Sequence, residues 1–122
     1  ALPALSRAFK LQKRAATRGF DWSEVGGVLD KVKEEIAELE QEIASGNMQA
    51  MEDEMGDLLF SLVNVCRFMD IEPEITLQET SDRFARRFAY IEESVHKAGK
   101  VMEDMSLSEL DEFWDKAKKE GL

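Results

Sequence analysis

One cysteine, two prolines, one histidine and one tyrosine are all that 122 residues contain, and each scarcity removes a class of structure. Cys66 has no second cysteine to pair with, which excludes an internal disulfide scaffold and fits a reducing compartment. As a small side chain in an apolar stretch, it reads as a core residue. His96 completes a Glu-x-x-His spacing with Glu93, but a di-iron carboxylate bundle needs that motif twice. Cationic charge is scarce too: 16 Lys and Arg face 26 Asp and Glu, a net charge of −10, so general nucleic-acid binding is disfavoured. No run of 18 uninterrupted apolar residues occurs and no signal peptide opens the chain, so a soluble, cytoplasmic protein without membrane contact is expected. The chain begins at Ala1 without methionine, which leaves open that it was excised from something longer. Its length is that of one domain, 1–122.

What is abundant is helix-forming sequence. Few prolines, few β-branched alternations and many Leu, Glu, Ala and Lys argue for an all-α fold. The pattern predicts a helix over 3–17 with Pro3 in its first turn, a pair over about 25–45 and 48–69, a fourth over 77–98 and a short one over 107–119. Leu5, Ala8, Phe9, Gln12 and Ala16 share one side of the first. Thr76 with Glu79 and Ser106 with Glu109 read as capping boxes opening the last two. Gly19 and Gly99 suit helix ends. Phe20 and Trp22, between the first two helices, fit plugs for the end of a bundle, or a stacking wall for a flat ring. The expected architecture is an antiparallel bundle of about four main helices plus the C-terminal one.

The central pair carries the unusual feature. Val32, Ile36, Leu39 and Ile43 repeat at helical spacing as an apolar stripe, while Glu34, Glu35 and Glu38 share an arc of about 100°. In the next helix, Met51, Met55, Leu58, Leu62, Val65 and Met69 form one stripe and Leu59, Phe60 and Val63 extend it around the back, so burial on most sides is expected. Glu54, Asp57, Ser61 and Asn64 nevertheless run up it as a single polar seam. Buried carboxylates require a compensating cation, and only Lys31 and Lys33 lie between Arg18 and Arg67. Two antiparallel helices would let Glu35 and Glu38 face Glu54 and Asp57 around a hard divalent ion such as Mg²⁺, which takes oxygen ligands and shares its shell with phosphates. The alternative is an ordinary solvated acidic surface. Arg83 and Arg87, one turn apart, would reach a common anionic group, or pair with nearby surface acids.

Taken in order, G-F-D-W, the E-E-x-x-E of Glu34, Glu35 and Glu38, the E-x-x-D of Glu54 and Asp57 within E-M-G-D-L-L-F, then L-V-N and D-R-F-A-R-R-F resemble the MazG family of nucleoside triphosphate pyrophosphohydrolases. The resemblance runs from L-P-A-L near the start to F-W-D-K-A-K near the end. It implies a bundle completed by homodimerisation and Mg²⁺-dependent hydrolysis of (deoxy)nucleoside triphosphates to monophosphate and pyrophosphate, with Mn²⁺ as a substitute ion. By the same resemblance Glu35, Glu38, Glu54 and Asp57 are metal ligands, and Glu34 and Glu38 are the catalytic acids, Glu34 orienting or deprotonating the attacking water. Arg83 and Arg87 are phosphate contacts, with Arg83 where members usually have Lys. Asn64 is a sugar or base contact, and Trp22 and Lys13 line a base pocket. Ser81 stands where members often have Asn. Two rival readings remain at this point: a narrower dUTP or dCTP pyrophosphatase, and a non-catalytic acidic helical adaptor.

Overall fold

The computed structural model describes residues 2–122, and every regular element among them is helical. The helices are α1 (Ala4–Thr17), α2 (Val25–Ser45), α3 (Met48–Phe68), α4 (Pro73–Lys97) and α5 (Leu107–Lys119), with a 3₁₀ turn at Met102–Asp104. The chain divides into two compact units, one up to Thr76 and one from Leu77 onward.

In the first unit α2 and α3 form a hairpin, and α1 lies against α3. The reversal between α2 and α3 is set locally. Gly46 ends α2 at φ 75°, a left-handed conformation that costs glycine little. Asn47 then caps α3, its side chain accepting from the Ala50 N–H. The fourth helix, α4, begins at Pro73, four residues before the start at 77 that the Thr76/Glu79 box predicts; a proline in the first helical turn has no N–H to leave unpaired. Ser6 ties this end of α4 to α1, its hydroxyl donating to Glu74 at 3.3 Å.

The second unit packs α5 back along α4. Phe84 meets Trp114 with ring centroids 5.6 Å apart, Arg87 lies over the same indole, and Ile91, Val95 and Ala117 are buried. Leu77 and Phe84, at the other end of the predicted apolar face, are exposed.

The apolar stripes of the hairpin are less buried than their sequence predicts. Ile36 and Ile43 on α2 and Met55, Leu59, Phe60, Leu62 and Met69 on α3 are exposed. The interior side of the hairpin instead holds Val28, Glu35, Ser61 and Val63. A hairpin with one further helix against it covers only part of two helices that are apolar on several sides, and the polar seam has taken the covered part.

Candidate active site

Helical spacing brings Glu35 and Glu38 onto one side of α2, and the tight Gly46–Asn47 reversal sets that side against Glu54 on α3. One carboxylate oxygen from each of Glu35, Glu38 and Glu54 lies within 4.8 Å of the others. Glu35 is 4% exposed. Its Oε1 accepts a bridge from Lys31 Nζ at 3.1 Å, while Oε2 of Glu35 and Oε2 of Glu54 are buried without a hydrogen-bond partner. Lys31 is the local cation, and it also reaches Glu34 at 3.4 Å.

Three acids around one lysine leave an uncompensated charge, and the proton affinities show where it falls. Lys31 holds the Glu35 carboxyl below its ordinary range, against the opposing effect of burial. Glu54 is pushed up to about 7, by burial first and then by Glu38 and Glu35. A set of hard oxygen donors with two unpartnered carboxylate oxygens fits a divalent cation of the Mg²⁺ type.

The other anticipated residues fall in several places. Asp57 is exposed and outside the trio, one turn along α3 from Glu54. Glu34 is on the outer side of α2, paired with Lys31. Ser61 is buried and donates to the Leu58 carbonyl. Asn64 and Trp22 line a cavity of about 420 Å³ together with Leu11, Gln12, Phe20 and Phe60. Phe20 is 83% exposed, so it seals no bundle end within the unit; both aromatics are wall residues. Trp22 lies so close to Gly27 that a Cβ there would approach its ring to 2.9 Å. Lys13 is absent from this wall and sits over the Phe9 ring instead. In the second unit Arg83 donates to Thr80, and Arg87 Nε donates to the Leu122 carbonyl at 2.7 Å.

Residues 24–95 match the MazG nucleotide pyrophosphohydrolase domain. The chain belongs to the MazG family. The matched segment contains all five acids of the two α2 and α3 motifs, and Arg83 and Arg87. Over 117 residues the chain is 42% identical to the nucleoside triphosphate pyrophosphohydrolase/pyrophosphatase MazG of Thermotoga maritima, covering 96% of this chain and 45% of that protein. Over 123 residues it is 43% identical to the nucleoside triphosphate pyrophosphohydrolase of Escherichia coli K12, covering 99% and 47%. A 65-residue stretch is 54% identical to the uncharacterized protein YabN of Bacillus subtilis. The chain thus spans about half the length of the first two curated relatives it matches.

Two features of this MazG domain were not anticipated. Gln12 is 7% exposed, donates Nε2 to the Phe60 carbonyl at 2.8 Å and keeps Oε1 unpartnered; the available signal was a glutamine on the otherwise apolar side of α1. Arg67 donates from Nε to Asn64 Oδ1 at 2.9 Å and from Nη1 to Asp21 Oδ2 at 3.0 Å. That bridge lowers the affinity of Asp21 for its proton and ties the α1–α2 loop to α3. Asp21 and Arg67 are 46 residues apart, and no local pattern pairs them.

Proposed function

We propose that this domain hydrolyses nucleoside triphosphates to the monophosphate and pyrophosphate with Mg²⁺, Mn²⁺ serving as a substitute. The observation that carries the reading is the convergence of Glu35, Glu38 and Glu54 from two helices, with two buried carboxylate oxygens unpartnered. The names of the relatives point to the same reaction.

Glu35, Glu38 and Glu54 would hold the ion, with Asp57 joining from the next turn of α3. When bound, a divalent ion neutralises polyphosphate charge and lowers the pKa of water. Glu34 would orient the attacking water and Glu38 keep the acid group in register, while Arg83 and Arg87 offer guanidinium donors to phosphate oxygens. Water attacks the α-phosphorus, the bond to the α–β bridging oxygen breaks, and pyrophosphate leaves with that oxygen. An acidic protein accepts an acidic substrate on these terms because the acids act as ligands rather than as free charges.

The unit of function in this proposal is a homodimer. Ile36, Ile43, Met55, Leu59 and Leu62 give the hairpin an exposed apolar surface of a kind that marks association sites. A cytoplasmic location accords with the lone Cys66.

The test is pyrophosphate release across the natural nucleoside and deoxynucleoside triphosphates, with Mg²⁺ and with EDTA. Mg²⁺-dependent release that disappears in Glu38→Gln, with helical circular dichroism retained, is the expected result. Release that persists in EDTA or in Glu38→Gln removes the proposed site.

A further inference from the structure

The cavity beside Trp22 has a polar chemistry of its own, set by two side-chain amides whose orientations are fixed from outside. Gln12 Nε2 donates to the Phe60 carbonyl. A backbone carbonyl only accepts, so the other end of the Gln12 amide is necessarily its oxygen. That oxygen is buried and unpartnered, a state that buried polar groups rarely keep unless something else satisfies them. Asn64 is fixed in the opposite sense. Arg67 only donates, and it takes Asn64 Oδ1, so the Asn64 amide offers its NH₂ as a donor.

Around these two groups the wall is mostly apolar or aromatic, with Leu11, Phe20, Trp22 and Phe60, and the Asp21 carboxylate that also lines it is engaged by Arg67. A cavity of about 420 Å³ with aromatic walls and few polar groups has a size and lining that suit one planar ring. Its place also suits a nucleotide. Asn64 lies on the seam of α3 that carries Glu54, seven residues beyond Asp57, or about 10 Å along the axis at 1.5 Å per residue. That interval leaves room for a sugar between a base at Asn64 and phosphates near the acids.

We propose that Gln12 is the specificity-determining residue of this domain, its Oε1 accepting an N–H from the exocyclic amino group of adenine or cytosine. The Asn64 amide donates to the neighbouring ring nitrogen, and Arg67 is the positioning residue that fixes the Asn64 amide. This rests on the reading of the site as a nucleotide site. Amino bases fit because one N–H of the projecting amino group meets the Gln12 acceptor while the adjacent ring nitrogen accepts from Asn64. In a keto base held the same way, a carbonyl oxygen would face the Gln12 acceptor and a ring N–H would face the Asn64 donor, two mismatched pairs.

Binding of product-like monophosphates to the intact protein tests the inference without turnover. Isothermal titration would compare AMP with purine riboside 5′-monophosphate, and CMP with its 2-pyrimidinone analogue; each pair differs by the amino group alone. A preference of about ten-fold or more for the amino member of at least one pair is expected, the size of one buried hydrogen bond. Gln12→Leu should bring that ratio to about one, and Arg67→Met should reduce it while leaving Gln12 unchanged. Equal binding within both wild-type pairs overturns the proposal, and needs no variant to fold. A ratio that persists in a folded Gln12→Leu protein overturns it as well. Discrimination between the monophosphates in a protein that releases no pyrophosphate would refute the hydrolytic reading and leave this one standing.

Discussion

Glu54 has a proton affinity that runs against its neighbours, and the sign of its effect on stability is opposite to that of Glu35. Its folded pKa of about 7 exceeds the ordinary 4.5, so the folded state binds the proton more tightly than the unfolded chain. That contribution is complete below the ordinary value and is lost as pH rises through about 7. In the metal-free protein the melting temperature should therefore fall between about pH 5 and pH 8. Glu54→Gln should flatten that slope in thermal melts followed by circular dichroism. Glu35, held down by Lys31, contributes above its ordinary value, and its contribution is lost as pH falls. Ligands must be deprotonated, so stabilisation by added Mg²⁺ should grow over the range in which Glu54 loses its proton. Arg87 offers a second residue-level test. Because it is bonded to the Leu122 carbonyl and stacked on Trp114, Arg87→Ala should cost about 1–2 kcal/mol of stability. It should also raise KM in pyrophosphate-release assays. An unchanged KM with the lower melting temperature would assign Arg87 to the fold alone. The acids were legible in the sequence because helical spacing fixes which side chains share a face. The orientation of the Gln12 amide was not, since the Phe60 carbonyl to which its Nε2 donates is 48 residues away.

Among the elements, α5 shows how far a local signal reaches. Ser106 and Glu109 form a full capping box: the Ser106 hydroxyl accepts from the Glu109 N–H, and the Glu109 side chain accepts from the Ser106 N–H. The helix begins where the sequence places it. Ser106→Ala should cost about 1 kcal/mol, visible as a lower denaturant midpoint with an unchanged slope. The same motif at Thr76 and Glu79 misplaces the start of α4, because Pro73 already supplies a residue suited to the first turn and the helix runs through the box. A capping pattern says that a helix can start there; an upstream segment already in helical conformation overrides it. The loop between α1 and α2 is the converse case. Its sequence fixed no conformation for Trp22, which took its place from packing on Gly27 and from the Asp21–Arg67 bridge.

At the scale of the whole molecule, the apolar content exceeds what the described chain buries. Leu59 is 52% exposed in a helix that is apolar on most sides, and Ile43, Met55 and Leu62 are exposed as well. If this surface joins two copies, Leu59→Asp combined with Ile43→Glu should shift the protein from dimer to monomer in analytical ultracentrifugation, with helical content retained. A monomeric wild type would remove the association. By itself the sequence determined the helices and which side chains share a face, because periodicity, glycine stops and caps act within a few residues along the chain. Tertiary structure alone decided that the acidic side of α2 meets Glu54 but not Asp57, and that much of the apolar stripes stays exposed. It alone also closed the cavity beside Trp22, since which faces meet depends on helix packing and on side-chain bonds between residues far apart in the chain.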